Sequence, residues 1–263
     1  MRTPATAKRL WSLDTPTMAA NASDLVVGAA PAELRIPIST YLIEHPHGLI
    51  VFDTGLAPEA YDDPVLAYGD RAQSLRFDIA PDQRLDRQLA SLGYSVDAVT
   101  HVVSSHAHWD HFGSAHLFTS AKHYIGAGEF NYAWWPAPHH RSAYRLKDLE
   151  ATRSLDWHEV PGIDVDLFGD GSLVILSTPG HTPGGLSLLV RLPTRSIVLT
   201  GDAAHLQTAF DREAPMPRDT HPLDAVGSIR RLKLLCESTG ALLWVGHDPG
   251  EWTAGRRAPH CYE

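Results

Sequence analysis

Four residues of types that can ligate metal ions fall within six positions near the middle of the chain. They are His106, His108, Asp110 and His111, and they follow a valine-rich segment. Alternating residues on an extended turn can aim their imidazoles at one point. Imidazole together with carboxylate suits zinc better than magnesium or calcium, which prefer oxygen ligands alone. The pattern predicts a metal site, and the alternative is a set of exposed loop histidines with no ligand.

Three more residues of ligand type share one sequence context. His181, Asp202 and His247 each stand near the end of an apolar segment and directly after a glycine. Glycine lets the backbone come close to a crowded centre. Each residue is weak evidence alone, because a histidine beside a glycine is usually a plain loop residue. With the first group they make five histidines and two aspartates, enough for two metal ions that share a bridging carboxylate.

Strands and helices must bring these distant residues together. Runs of apolar and β-branched residues predict the strands, and leucine or isoleucine at helical spacing predicts helices over residues 84–92 and 222–236. The predicted strands cover residues 36–44, 49–52, 96–104, 173–177, 186–192, 196–200 and 242–245. Residues 136–148 are predicted to be a loop. The order predicts an α+β sandwich of two similar halves, and the lack of a linker predicts one domain over residues 1–263.

The net charge and the cysteine content limit which binding partners and which cellular location we expect. The chain has 22 basic and 31 acidic residues, a formal charge of −9. An acidic surface repels phosphate backbones, so we expect neither nucleic acid nor an anionic membrane as a partner. No apolar run has the length of a membrane span, and the N-terminal segment does not read as a signal peptide. Cys236 and Cys261 form no disulfide framework, so we expect a cytoplasmic protein.

The complete motif set resembles the metallo-β-lactamase superfamily over nearly the whole chain. The set consists of Asp53-Thr54-Gly55, the run from His106 to His111, His181, Asp202 and His247. The resemblance implies an αββα sandwich of two mixed β-sheets with helices on the outer faces. It also implies a dinuclear site at one edge, holding two divalent ions, zinc in the first place with iron, cobalt or manganese as alternatives.

The resemblance also implies which residues would bind each of the two metal ions. It assigns one metal to His106, His108 and His181, the other to Asp110, His111 and His247, and makes Asp202 the bridge between them. Asp53 matches a position where a carboxylate orients a ligating imidazole. The alternative for Asp53 is a cap of a turn or helix.

Within the superfamily the chain is most similar to the N-acyl homoserine lactonases and relatives such as pyridoxolactonase. The similar segments are residues 34–38, 41–44, 52–55, 177–184, 201–204 and 246–248. β-Lactamases of this fold lack a bridging aspartate, and RNA-processing members need a basic face. The resemblance implies opening of a lactone ring, an N-acyl homoserine lactone in quorum quenching, by attack of a metal-bridging hydroxide. The alternatives are another lactone, a thioester or a phosphoester on the same centre, or a binding protein without activity.

Two residues are predicted to act on the substrate. Asp110 would pass a proton to the leaving alkoxide. His205 stands three residues after Asp202, where many of these lactonases carry a tyrosine. An imidazole there would donate a hydrogen bond to the lactone carbonyl, since histidine exchanges protons near neutral pH. The alternative for His205 is a solvent-facing loop histidine.

Large apolar side chains near the motif are predicted to form a groove for a small lactone substrate. The predicted groove residues are Trp109, Trp134, Trp135 and Met18, with Leu25, His139 and His140 as weaker candidates. Core or dimer contacts are the alternative for the tryptophans. By analogy with relatives of this type we also expect a homodimer.

Overall fold

The computed structural model describes residues 5–263 and contains two larger sheets, one two-stranded sheet and ten α-helices in that range. The strands are β1 Arg9–Ser12, β2 Thr17–Asn21, β3 Glu33–Pro37, β4 Tyr41–His45, β5 Gly48–Phe52, β6 His101–Val103, β7 Lys122–Gly126, β8 Asp156–Val160, β9 Val165–Asp166, β10 Leu173–Ser177, β11 Leu186–Arg191, β12 Ser196–Leu199 and β13 Leu242–Trp244. The helices are α1 Ala22–Leu25, α2 Pro64–Tyr68, α3 Arg71–Leu75, α4 Leu85–Ser91, α5 Trp109–Phe112, α6 Glu129–Trp134, α7 Leu146–Ala151, α8 Gln207–Arg212, α9 Pro222–Thr239 and α10 Pro249–Ala254.

Both larger sheets mix parallel and antiparallel pairs. The first has the order β1-β4-β5-β6-β7-β8, antiparallel from β1 to β5 and parallel from β5 to β8. The second has the order β13-β12-β11-β10-β9, in which only β12 and β13 are parallel. Strands β2 and β3 form the separate antiparallel pair. In each larger sheet, parallel neighbours bring two carboxyl ends to the same edge.

The two larger sheets pack face to face through a buried apolar layer. Ile43, Phe52 and Val103 of the first sheet meet Leu188 and Ile197 of the second in one cluster. Burial of such side chains stabilises the fold by roughly 1.5–3 kcal/mol each. The layer confirms the predicted sandwich.

Helices cover the outer face of each sheet. Leu85 and Leu89 of α4 pack on Val51 of the first sheet, in a cluster with Trp11 and Phe118. On the second sheet, α9 inserts its apolar residues into another cluster beside β11 and β12. The αββα architecture is therefore confirmed. The prediction of one domain over residues 1–263 stays a prediction, and residues 1–4 lie outside the described range.

Three predicted elements are wrong in their bounds. Residues 36–44 are not one strand, because the chain leaves the β2–β3 pair after Pro37 and enters the first sheet at Tyr41. Only His101–Val103 of residues 96–104 is a strand, since Val96–Ala98 forms a 3-10 turn. The predicted loop at 136–148 contains the turn Arg141–Ala143 and the start of α7.

Two further observations bear on the expectations from composition. Cys236 and Cys261 are both free thiols. Among residues 5–263, none of the helices combines the length and the apolar character needed to cross a bilayer.

Candidate metal centre

The predicted ligands meet where parallel strands of both sheets end. Asp53 follows β5, and the motif from His106 follows its parallel neighbour β6. Asp202 follows β12, and His247 follows its parallel neighbour β13. The backbone N–H of Leu186 donates to the carbonyl of Ser105 over 2.9 Å, which joins the two sheets at this edge. Topology alone therefore brings the two halves of the site together.

Two clusters of ligand atoms lie on either side of Asp202. We call His106, His108, His181 and Asp202 the first cluster, and Asp110, His111 and His247 the second cluster. Within each, the ligand atoms lie within 4.8 Å of one another. In the first, the Nε2 of His181 faces the Nδ1 of His108 at 3.1 Å. In the second, the Nε2 atoms of His111 and His247 are 3.3 Å apart.

The two carboxylate oxygens of Asp202 face different clusters. Its Oδ2 lies 3.7 Å from the Nε2 of His106 and 3.5 Å from the Nε2 of His181. Its Oδ1 lies 3.3 Å from the Nε2 of His111 and 3.2 Å from the Nε2 of His247. One carboxylate thus reaches both groups, as a bridging ligand must.

Buried polar atoms with no partner show that the donor set fits cations. Neither the Nε2 of His106 nor the Oδ1 of Asp202 has a hydrogen-bond partner, although both atoms are buried. A buried polar atom left unpaired costs about 1–3 kcal/mol. A cation coordinated at each cluster would remove that cost, and imidazole and carboxylate are ligands of zinc and related divalent metals. The clusters therefore suit a dinuclear metal site.

Protonation of three members of the first cluster favours metal ligation, whereas contacts with Asp219 and Asp202 outweigh burial and raise the pKa of the fourth, His181. Burial lowers the pKa of His106 and of His108 well below the usual value, so both rings are neutral. For Asp202, burial alone would raise the pKa, but the imidazoles of His111 and His247 hold it well below its usual range. Neutral imidazole and ionised carboxylate are the forms that bind metal.

Hydrogen bonds fix which nitrogen of three rings faces Asp202. The Nδ1 of His111 donates to Asp53 Oδ2 over 2.8 Å, and the Nδ1 of His247 donates to the Pro37 carbonyl over 2.7 Å. The Nδ1 of His181 lies 2.9 Å from Asp219 Oδ1. Because each Nδ1 is engaged, the Nε2 of each ring is the nitrogen turned toward Asp202, and it would be the metal ligand once it has lost its proton.

The glycines that precede two of the ligands are required because neighbouring atoms approach their Cα too closely for a side chain. A Cβ on Gly201 would lie 2.6 Å from the Cβ of Ser105, and Gly201 has φ +52°. A Cβ on Gly180 would lie 2.2 Å from the backbone nitrogen of Ala225. These contacts confirm the prediction that small residues admit the backbone to a crowded centre.

A family model described as the metallo-beta-lactamase superfamily matches residues 35–247. The chain belongs to this superfamily. N-acyl homoserine lactonase AttM of Rhizobium radiobacter is 33% identical over 259 residues, which cover 97% of this chain and 98% of that relative.

Two solved structures of the superfamily resemble this one over almost their full length. One is a B. thuringiensis AiiA variant with N-decanoyl-L-homoserine bound at its active site, with a TM-score of 0.85 and 27% identity over 98% of this chain and all of that one. The other is an N-acyl homoserine lactone hydrolase with the product N-hexanoyl-L-homoserine bound at its catalytic metal centre, with the same TM-score, identity and coverage.

Asp53 and His205 of this superfamily member lie in the centre as close neighbours of the ligands. Asp53 accepts the backbone N–H of Ser105 over 2.6 Å besides its contact with His111, and it has φ +59°. Strained backbone of this kind clusters at functional sites. His205 is 5% exposed, so the alternative of a solvent-facing loop histidine is wrong.

The predicted substrate residues divide into two groups. Trp109 and Met18 line a cavity of about 160 Å³ that borders both clusters and His205, as do Leu25, His139 and His140. Trp134 does not line it, because its place on α6 turns the indole under Arg153, 5.4 Å from the ring centroid. Trp135 is 87% exposed and also lies outside the cavity lining. The geometry therefore gives Trp134 and Trp135 no part in the predicted groove.

Two buried carboxylates of the centre, Asp219 and Glu129, are not predicted from the sequence. Asp219 contacts His181 from a segment between α8 and α9. Glu129 accepts the backbone N–H groups of Ala107 over 3.0 Å and Gly184 over 3.1 Å, so it ties the loops of His106 and His181 together. Neither carboxylate stands in a recognisable motif, and the acidic first turn of α6 reads as an ordinary helix start.

Proposed function

We propose that the chain is a dinuclear metal-dependent hydrolase that opens the ring of N-acyl homoserine lactones. The observation that carries the proposal is Asp202, whose two oxygens each face one cluster of imidazoles. The names of the relatives support the substrate, since AttM is an N-acyl homoserine lactonase and the solved neighbours hold acyl-homoserine products.

Seven residues of the two clusters would hold the metals. The first cluster would hold one ion and the second cluster the other, with Asp202 placed to contact both. Two divalent cations held there would supply Lewis acidity, which lowers the pKa of water and polarises an ester carbonyl. We propose zinc, with iron, cobalt or manganese as alternatives, because imidazole-rich sites suit all of these ions.

Two side chains of the chain itself would handle the proton and the carbonyl. Asp110 is 6% exposed and its Oδ2 lies 3.8 Å from the Nε2 of His247, within reach of a water at the centre. Its carboxylate would take the proton of the attacking water and return it to the ring oxygen as the acyl C–O bond breaks. His205 would donate a hydrogen bond to the lactone carbonyl. Water adds across the ester in net terms, and the new carboxylic acid loses its proton to solvent.

The wall of the cavity suits an acyl chain. Met18, Leu25 and Ile36 come from the β2–α1–β3 segment, and Trp109 lies beside Asp110. Trp109 packs against Tyr68 and Phe77 with ring centroids 4.9 and 5.8 Å away, so its position is fixed. A rigid apolar wall next to the clusters would hold the acyl group while the ring faces Asp202.

The cellular location, the oligomeric state and the lack of a nucleic-acid partner stay predictions. We propose a cytoplasmic location because the two cysteines are unpaired in a chain with few thiols. We also propose a homodimer by analogy with relatives, and no nucleic-acid partner because the formal charge is −9.

A lactone panel read by proton release tests the proposed reaction. The metal-loaded enzyme is offered N-hexanoyl homoserine lactone, a simple γ-lactone, an acyl thioester and a phosphodiester, each at matched concentration. We expect fastest turnover of the acyl homoserine lactone, with N-hexanoyl-homoserine as product by mass spectrometry. Faster hydrolysis of the thioester or the phosphodiester would overturn the substrate assignment.

A further inference from the structure

The cavity at the metal centre continues outward into a larger space. The inner cavity of about 160 Å³ borders the clusters, and an outer one of about 530 Å³ shares much of its lining. The shared residues include Met18, Leu25, Ile36, Arg71, Met216 and Arg218. A substrate with its reacting group at Asp202 must extend past these residues, so they contact the part of the molecule away from the ring.

Two of the shared residues are arginines at the passage between the cavities. The Cζ of Arg71 lies 4.8 Å from the ring centroid of Trp109, so the guanidinium stacks on an indole next to the second cluster. Burial lowers the pKa of Arg71, with Asp110 acting against this and Arg218 adding to it. In the described part of the chain neither arginine forms a direct ion pair with a carboxylate, and Asp110 acts on Arg71 only through its charge.

Two other arginines near the cavities form ion pairs, unlike Arg71 and Arg218. Arg145 binds Glu59 and Asp148, each over 2.5 Å, and Arg76 binds Glu33 of the outer cavity over 2.5 Å. The remaining acidic residue of the outer cavity, Asp24, is exposed at its rim. The passage therefore carries two cations without an ion-pair partner in a protein of net charge −9. Arg71 is half-buried and Arg218 is exposed at the surface. A partly buried cation is stabilised by a paired anion, and guanidinium groups bind carboxylates through two parallel hydrogen bonds.

We propose that Arg71 and Arg218 form a subsite for a carboxylate, and that the preferred lactones carry this group on the acyl chain. The inference rests on the proposed lactonase function and makes it narrower. The lactone ring would face Asp202, the methylene groups would lie along Met18 and Ile36, and the distant carboxylate would meet the two guanidinium groups.

A matched pair of substrates tests the subsite. We would compare N-hexanoyl homoserine lactone with N-(5-carboxypentanoyl) homoserine lactone, which has a similar length and a terminal carboxylate. A charge-assisted contact predicts a kcat/KM about tenfold higher for the carboxylated lactone, mainly through KM. Arg71→Gln and Arg218→Gln should each remove this preference, read as the ratio of the two kcat/KM values measured on the same variant. Arg218→Glu should invert it.

A control variant separates the subsite from general surface charge. Arg212 is exposed on α8, lies outside both cavity linings and donates to the Gly28 carbonyl. Arg212→Gln should keep the full preference. Raising the salt concentration should raise KM for the carboxylated lactone alone, because screening weakens the contact.

The outcomes distinguish the subsite from the reaction. Equal kcat/KM for the two lactones in the unmodified enzyme, or a preference that survives in both glutamine variants, overturns the subsite and leaves the lactonase standing. If neither lactone is opened, the proposed reaction fails, and calorimetric binding of the two compounds still decides the subsite. Tighter binding of the carboxylated compound that is lost in Arg218→Gln supports it, and equal binding overturns it.

Discussion

The Nε2 of His205 lies 3.1 Å from the Oδ2 of Asp202, the oxygen that faces the first cluster. The ring of His205 also stacks on that of His247 at 5.5 Å. His205 therefore belongs to the centre, and its imidazole is close enough to be either a hydrogen-bond donor to substrate or an additional ligand.

We predict that His205 acts on the substrate. His205→Ala should keep two metal ions and lower kcat about 100-fold, the range for loss of one general acid. His205→Tyr should retain most of the activity, because a phenol also donates a hydrogen bond. Metal analysis and kinetics on the same samples decide the role. Loss of one metal equivalent in the alanine variant would make His205 a ligand instead, and an unchanged kcat would remove it from the reaction.

Asp219 is predicted to orient His181 for metal binding. Asp219→Asn should weaken binding at the first cluster about 10–100-fold, as expected when the carboxylate partner of a ligating imidazole is lost. Asp53→Asn should do the same at the second cluster through His111. Titration with a metal buffer measures both, and Asp97→Asn, an exposed change, serves as control. Unaltered affinity in Asp219→Asn would leave that contact without a role in the centre.

The metal centre can be predicted from the sequence because each ligand stands in a recognisable local pattern at the end of a strand. His181, Asp202 and His247 each follow a strand and a glycine, and packing at the strand ends requires those glycines. Asp219 carried no such signal, since it reaches His181 across 38 residues through folding alone. The position of Trp134 was also beyond the sequence, because the packing of α6 decides which way an indole on it points.

The predicted bounds of the strand at residues 36–44 are wrong for a related reason. Ile38, Ser39 and Thr40 are buried and continue the pattern of the segments on either side, so periodicity cannot show where the chain changes sheets. The change is fixed by pairing of β3 with β2 and of β4 with β1, which are contacts with other segments. Layer order depends on the sum of many such segments and was therefore predicted correctly.

Gly201→Ala is predicted to disturb both the fold and the centre. The added Cβ would meet Ser105 at 2.6 Å and the Leu186 carbonyl at 2.9 Å, which should cost about 1–3 kcal/mol of unfolding free energy beyond the strain of the left-handed backbone at Gly201. Gly240→Ala is a matched control, since Gly240 has φ +70° and nothing within 4 Å of the new atom. It should cost only the strain of the left-handed backbone, about 1–2 kcal/mol. Urea unfolding compares them, and an equal loss in both would show that the contact with Ser105 is irrelevant.

Glu59 is predicted to make the free energy of unfolding depend on pH. Burial alone would raise its pKa, but hydrogen bonds from Arg145 and Lys147 lower it to about 2. A lowered pKa means that the carboxylate stabilises the fold above its unfolded pKa near 4.5, and that this contribution is lost as the pH falls toward 2. Glu59→Gln should lower the unfolding free energy by about 0.5–1 kcal/mol at pH 7, because the pairs are partly exposed. The difference between the two proteins should shrink at pH 3, and a constant difference would contradict the assignment.

The central claim is that Asp202 joins two metal ions in one active centre. The most direct test adds zinc stepwise to metal-free enzyme and follows lactone opening and bound metal together. Activity should rise to a plateau at two equivalents per chain, and Asp202→Ala should lose both metal and activity. A plateau at one equivalent, or an Asp202→Ala variant that keeps two ions and full turnover, would contradict it.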